Sequence, residues 1–198
     1  MVEVSQPVHV EGREIGALIG GAFGMVFVAV NSTAIAVFAH VAALVVAGCL
    51  LAAILLLSLR NLLRWRAASE DATADATRQH GNPFGWQYWT IVGIEAIALF
   101  GGARVTTALG HPELGVAWVA VVVGTHFFAL ARIFRLTRFH VLGAIVTALG
   151  ALGFLLGALG EVDAIALVSG VLSGFALLAF GLAALLPPHP RKVQRAAG

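Results

Sequence analysis

The sequence predicts an all-α polytopic membrane protein: a bundle of six transmembrane helices with both termini in the cytoplasm. Three observations support this prediction. Apolar residues make up 60% of the 198 residues and charged residues only 11%, whereas about 25% are charged in a typical soluble domain. Six apolar runs approach the ~20 residues that a helix needs to cross a bilayer. Almost all basic residues flank those ends of the runs that would face the same side of the membrane.

Short polar segments separate the six runs. The chain as a whole has three parts, which are two tails and the domain between them. Residues 1–14 form an N-terminal tail, residues 15–186 the six-helix domain, and residues 187–198 a C-terminal tail. Within the domain, residues 60–85 are the longest cytoplasmic loop, and residues 67–83 of it are interpreted as a solvated linker, with partial helix left open. The predicted helices cover about residues 15–30, 34–59, 86–109, 113–134, 140–159 and 164–186.

The distribution of charge predicts the orientation. Eleven of the 12 Lys and Arg residues lie in or beside the two tails and the connections after the second and fourth runs. The other three connections contain none. Because cytoplasmic segments carry the excess of basic residues, both termini are expected inside a cell membrane of the bacterial inner-membrane type. Charges so placed suit anionic lipid headgroups and argue against nucleic acid as a partner.

Glycines repeat every four residues on three of the predicted helices. Small residues at this spacing leave a groove in which a neighbouring backbone can approach closely in lipid. We expect packing within the bundle at these positions, and a homo-oligomer or a larger membrane partner stays open as the alternative. The positions are Gly16, Gly20 and Gly24 on the first helix, Gly153 and Gly157 on the fifth, and Gly170 and Gly174 on the sixth.

Two ionisable residues lie near the middle of predicted spans, Glu95 on the third helix and His126 on the fourth. These helices form a hairpin around Gly110 and His111, and the two residues are equally far from that turn. With the same rise per residue on both helices, they lie at the same depth. An ionisable group within a bilayer costs about 2.5–3.5 kcal/mol on insertion scales and normally faces protein or water. The two side chains can therefore meet if their helix faces agree.

Steps of three and four residues place Tyr88, Glu95 and Gly102 on one face of the third helix, and Gly115 and His126 on one face of the fourth. The two glycines would allow close packing, and a polar path would lead from Tyr88 through Glu95 to His126. Burial and mutual pairing have opposing effects on protonation, so the pair is expected to titrate as one coupled unit near neutral pH. This suits a proton relay or a ligand site. A structural clamp is the alternative.

Two further residues are secondary candidates. Arg104 is turned away from Glu95 and is expected to extend to the outer headgroups, or to pair with Glu113 across the turn. His40, about two turns into the second helix, is expected to be shallower than His126, which disfavours a pair of axial haem ligands. No metal site or cofactor is predicted. The sequence has no zincin, nucleophile-elbow or phosphate-loop motif, so an enzyme is not expected.

The stretch GTHFFALARIF at residues 124–134, followed by HVLG at 140–143, resembles a segment of an uncharacterised family of small bacterial multi-pass membrane proteins. Tyr88, Trp89 and Glu95 are similar to the same family's pattern. The resembling part covers helices three to five, under half of the chain. The resemblance implies a six-helix bundle and no particular activity, and its residues include Glu95, His126 and Arg132.

Two functional hypotheses follow from these observations. The first is a small proton-coupled transporter or permease-like protein that uses Glu95 and His126. The second is a non-catalytic accessory or scaffold subunit, in which the pair is a clamp and the glycine faces mediate assembly. A redox subunit is a third class, and a haem absorption band in the purified protein would identify it.

Overall fold

In the residues that it describes, a computed structural model of this protein contains six long helices. It describes residues 8–70, 86–134 and 136–186, and within these ranges it leaves undescribed the side chains of residues 8–12, 34, 65–70, 87, 88 and 134. All regular structure in the described ranges is helical. The helices are α1 (Val8–Asn31), α2 (Val37–Glu70), α3 (Trp86–Ala108), α4 (Gly115–Phe134), α5 (Thr137–Ala158) and α6 (Val162–Leu185).

Each of the six helices contains a segment long and apolar enough to cross a membrane, which confirms the predicted polytopic, all-α architecture. The mean hydropathy of these segments ranges from 1.4 on α3 to 2.8 on α2. Large apolar side chains point outward along the bundle; Phe38 is 87% exposed and Phe100 is 77% exposed. A soluble monomer rarely presents such a continuous apolar surface, whereas lipid solvates it.

Two helices extend beyond their predicted bounds. α1 begins at Val8 and not at residue 15, so that Arg13 and Glu14, assigned to the tail by the sequence analysis, lie within the helix. α2 continues to Glu70, and the first part of the predicted loop 60–85 is therefore helical. The apolar run marks the thickness of the lipid, but Arg, Leu, Ala and Glu are good helix formers and continue the helix into water.

Glycine brings α1 and α6 into backbone contact. A Cβ atom added to Gly24 would lie 2.7 Å from the carbonyl oxygen of Gly174, and one added to Gly174 would lie 2.7 Å from that of Gly24. Gly20 also faces α6, near the carbonyl of Leu177. The two backbones therefore approach closely at Gly24 and Gly174, whereas a Cβ atom on Gly20 would lie at an ordinary contact distance.

Gly16 does not pack, and the prediction for this residue was wrong. It is exposed, and no atom of the described residues lies within 4 Å of its Cβ position. With 3.6 residues per turn, each step of four residues drifts about 40° around the helix. At Gly16 this rotation has moved the row of glycines away from the face of α1 that packs against the bundle. Ala17 is buried there instead.

The remaining glycines of the predicted set pack within the bundle, but against side chains and not against a neighbouring backbone. Gly153 leaves room for the side chains of Ser169 and Ala117, and Gly157 for that of Leu114. Gly170 accommodates Asn31, at the end of α1.

Two of the turns end helices with a left-handed glycine. Gly110 has φ +81° and Gly160 has φ +80°. At the first, the N–H of His111 donates to the carbonyl of Thr106 and that of Gly110 to Thr107. The same pair of hydrogen bonds recurs around Gly160. This Schellman arrangement satisfies carbonyls that a helix end would otherwise leave without donors. It makes the α3–α4 and α5–α6 connections tight.

A π-helical segment, Ala166–Leu172, interrupts α6, and the sequence analysis did not predict it. The segment packs against α1, α4 and α5. Ser169 within it is fully buried, and its hydroxyl donates to the carbonyl of Leu149 at 2.9 Å. α3, by contrast, lies at the edge of the bundle. It packs along α4 and against no other helix extensively in the described part of the chain.

Candidate functional site

The α3–α4 hairpin is held together one turn from Glu95 by Trp118. The Nε1–H group of Trp118 donates to the backbone carbonyl of Ala98 at 2.8 Å. Its indole ring occupies the space beside Gly102, where any Cβ atom would overlap the ring. A Cβ atom added to Gly115 would lie 3.6 Å from the hydroxyl oxygen of Thr106, which is an ordinary contact distance. The close packing expected at the two glycines is therefore seen at Gly102 and not at Gly115, and Trp118 as the group that fills the space was not predicted from the sequence.

Glu95 and His126 meet between the two helices. The Oε2 atom of Glu95 lies 3.0 Å from Nδ1 of His126, and the two side chains are 18% and 11% exposed. The equal distances from the hairpin turn, read from the sequence, thus lead to a contact in the structure. The tight turn at Gly110 sets the relative depth of the two residues, and the packing of Trp118 beside Gly102 brings the helices close enough for the contact.

The two atoms lie at an ion-pair distance, but they are not oriented as in a hydrogen bond. Nδ1 of His126 is shielded from solvent and makes no hydrogen bond in the described part of the chain, even though Glu95 is 3.0 Å away. At this distance, a small rotation of either side chain would align the two groups. Transfer of a proton between two such groups requires a heavy-atom separation of about 2.6–3.2 Å.

The surroundings of the pair are mostly apolar. The ring of Phe127 stands at 79° to that of His126, with centroids 6.0 Å apart. Leu99, one turn along α3 from Glu95, packs against a buried cluster that includes Ala120 and Val123. Apolar walls strengthen the electrostatic coupling within the pair because they lower the local dielectric constant. Among the described residues, no group of three or more His, Cys, Asp or Glu side chains is placed to hold a metal ion.

The other candidate residues are not part of this contact. The side chain of Tyr88 lies outside the described residues, so the polar path through it stays a prediction. Arg104 is exposed, as expected. Glu113 contacts His111, with Oε1 3.0 Å from Nδ1, and among the described side chains it makes no ion pair with Arg104.

His40 lies closer to the end of its helix than the sequence analysis placed it. Because α2 begins at Val37, His40 is in the first turn and not two turns into the helix. Its Nδ1 atom lies 2.8 Å from the hydroxyl oxygen of Ser32, which is fully buried. The contact connects the α1–α2 turn to the start of α2.

A buried acid that was not predicted from the sequence lies at the opposite end of α1. Glu14 is 8% exposed, and its Oε1 atom accepts a hydrogen bond from Nδ2 of Asn61 at 3.3 Å. The assignment of residues 1–14 to a solvated tail hid this residue. Its position directly before an apolar run, on a helix that continues outward, is the signal that would have identified it.

A cleft of about 360 Å³ opens at the end of the bundle where α3 and α4 connect. Its polar lining comes from Asn31, Glu113 and Asp163, and apolar residues form the rest. The cleft is separate from the Glu95–His126 pair.

Comparisons with protein families, with curated proteins and with solved structures find no match to this chain. The resemblance to a family of small bacterial multi-pass proteins therefore stays a prediction.

Replacing Trp118 with Phe is expected to destabilise the hairpin by about 1 kcal/mol, because the hydrogen bond to Ala98 is lost while most of the ring is kept. The measurement is the free energy of unfolding in mixed micelles. Trp86→Phe, at an exposed position at the start of α3, is the matched control. Equal stability of the two variants would contradict a role for the indole N–H.

Proposed function

We propose that this protein is a small proton-coupled transporter or permease-like protein of a cell membrane, and that Glu95 and His126 form its proton-binding site. The observation that carries the proposal is the 3.0 Å contact between the two side chains within a membrane-spanning hairpin. Ionisable residues at such positions are costly to insert and commonly mark the pathways of ions and substrates. We further propose that both termini are cytoplasmic, as the positive-inside tendency suggests, and that the protein is not an enzyme.

The chemistry of the pair supports a proton site. A carboxylate with an imidazolium and a carboxylic acid with a neutral imidazole have the same net charge of zero. The proton can move between them without adding net charge to the hydrocarbon layer. Uptake of one further proton gives an acid beside an imidazolium, with a net charge of +1. In a low-dielectric site this added charge favours a different arrangement of the surrounding helices, which is the coupling that a transporter requires.

The position of α3 supports such coupling. Because α3, among the described residues, packs extensively only along α4, it can shift relative to the bundle at a smaller packing cost than the other helices. A shift of this kind would separate Glu95 from His126 and change the affinity of each for protons. Proton binding would then bias the position of α3, and the position of α3 would in turn bias proton binding.

Infrared difference spectroscopy of the reconstituted protein tests the proton site directly. We expect the wild type to show a carboxylic acid band that changes with pH within about pH 5–8, the range in which histidine sites titrate. Glu95→Gln should lack this band, and Glu113→Gln should retain it as the matched control. A spectrum in which no carboxyl band of the wild type depends on Glu95 over this range would remove the proposal.

The accessory or scaffold function is the second candidate. The observation that favours it is also the edge position of α3, because the pair and the Trp118–Ala98 hydrogen bond are polar contacts that fasten this helix to α4. In this case Glu95→Gln chiefly lowers thermal stability, and a larger membrane partner co-purifies with the protein.

A further inference from the structure

The cleft of about 360 Å³ lies between the ends of three helices. Asn31, the last residue of α1, lines it together with Glu113, shortly before α4, and Asp163, in the first turn of α6. The rest of the lining is apolar and includes Val116 and Ile165. Small-molecule sites are typically concave cavities of about 300–1,000 Å³ with apolar walls and a few convergent polar groups. The cleft has the size and the composition of such a site.

The amide of Asn31 presents a hydrogen-bond acceptor. Its Nδ2 atom donates to the backbone carbonyl of Phe27 at 2.8 Å. Because a carbonyl oxygen only accepts, the nitrogen must face it, and Oδ1 is the other end of the amide. The side chain packs over Gly170, where a Cβ atom would overlap it, so the amide is held in place. Among the described residues, Oδ1 accepts no hydrogen bond.

Glu113 and Asp163 add two carboxylates. Oε1 of Glu113 lies 3.0 Å from Nδ1 of His111, which does not line the cleft. Asp163 is exposed, and its side chain makes no hydrogen bond or ion pair within the described part of the chain. Each acid lies where a helix begins, and a helix N-terminus carries about half a positive charge. The two carboxylates outweigh these two helix ends and leave the cleft with a net charge of about −1.

The side chains that line the cleft offer acceptors and no unused donor. The nitrogen of Asn31 is already bonded, ionised carboxylates only accept, and the other lining side chains are apolar. No Lys, Arg or His is among these lining residues. A ligand that complements the cleft must therefore donate hydrogen bonds and carry a positive charge. An ammonium group does both.

A metal ion fits this lining less well than an ammonium group. Ca²⁺ takes about six to eight oxygen ligands, and Mg²⁺ requires a nearly regular octahedron. Among the described residues, no group of three or more His, Cys, Asp or Glu side chains is placed to hold such an ion. Val116 and Ile165 instead offer apolar surface to a hydrocarbon chain.

We propose that the cleft binds a primary ammonium group that carries a short apolar chain. Asp163, Glu113 and Oδ1 of Asn31 accept its N–H groups, and the apolar wall packs against the chain. Binding does not depend on the Glu95–His126 pair. The role of this ion as the substrate that is exchanged for protons rests on the proposed function. Bound ammonium in a protein whose Glu95 band does not titrate would leave the site and remove only that role.

Isothermal titration calorimetry of the whole protein in phosphatidylcholine nanodiscs tests the site, with n-butylammonium as the probe. We expect the probe to bind at least about tenfold more tightly than butan-1-ol, which has no charge. Butyltrimethylammonium, which has the charge but no N–H, should fall between the two. The double variant Glu113→Gln with Asp163→Asn should weaken binding of the probe about tenfold.

Glu161→Gln is the matched control, because Glu161 is an exposed acid close to Asp163 in the chain that does not line the cleft. It should bind the probe as the wild type does. Should the double variant fail to fold, Asp163→Asn alone, at an exposed position, is measured in the same way and should bind about threefold more weakly.

A lipid arm identifies the source of the ammonium group, since phosphatidylethanolamine carries the same group. The titration is repeated in nanodiscs that contain this lipid. Unchanged binding of the probe supports a free amine as the ligand, and binding that is lost only there supports the lipid headgroup as the occupant of the same site. Equal binding by the wild type and the acid variants, or butan-1-ol binding as tightly as the probe, would overturn the proposal.

Discussion

Gly24→Ala is expected to destabilise the bundle by about 2 kcal/mol, whereas Gly16→Ala on the same helix leaves its stability unchanged or slightly increases it. A Cβ atom on Gly24 would lie 2.7 Å from the carbonyl of Gly174 and 2.8 Å from the side chain of Leu178. Backbone cannot move aside as a flexible side chain does, so α1 and α6 must separate. Overpacking of this kind costs about 1–3 kcal/mol.

The comparison with Gly16 isolates packing from helix propensity. Alanine favours a helix by about 1 kcal/mol over glycine at either position, so propensity alone predicts that both variants become more stable. Only the contact with α6 distinguishes them. Unfolding in mixed micelles gives the difference in free energy between the two variants. Equal values would mean that α1 and α6 are not in backbone contact at Gly24.

The sequence predicts the number and order of the helices well because the hydropathy of a segment shows whether its surroundings are lipid or water. A bilayer imposes one length on every span, and all six apolar runs satisfy it. The sequence predicts helix ends less well, as at Val8 and Glu70, because a segment in water can be either a helix or a loop. The π-helical segment of α6 is a product of packing against three other helices and has no local pattern.

The candidate pair could be found from the sequence because residues equally far from a tight turn between two helices lie at the same depth in the membrane. Glu95 and His126 needed only equal distances from Gly110 and matching faces. The buried acid Glu14 could not be found in this way, because its partner Asn61 is on a helix whose facing side depends on how α1 and α2 pack. The packing expected at Gly16 was wrong for the same reason, because the spacing of glycines does not show which face of a helix will contact another helix.

His126→Leu is expected to destabilise the protein by about 3 kcal/mol, and the double variant Glu95→Leu with His126→Leu to recover most of the loss. Removing one partner of a buried pair leaves the other without compensation, which costs about 3–5 kcal/mol, and the carboxyl can reduce this cost by binding a proton. Removing both leaves apolar side chains where α3 meets α4, and replacements of this kind are often neutral or stabilising.

The double variant also separates the two functional hypotheses. Stability is measured by unfolding of all four proteins of the cycle in mixed micelles, and additive effects of the two single substitutions would mean that the side chains do not interact. If the pair is only a clamp, a double variant that regains stability must also regain co-purification with its partner. If the pair is a proton site, the same well-folded variant has no titrating carboxyl band and no proton-coupled transport. Restored folding without restored function is therefore the outcome that a transporter requires, because a leucine pair can pack the hairpin but cannot hold a proton.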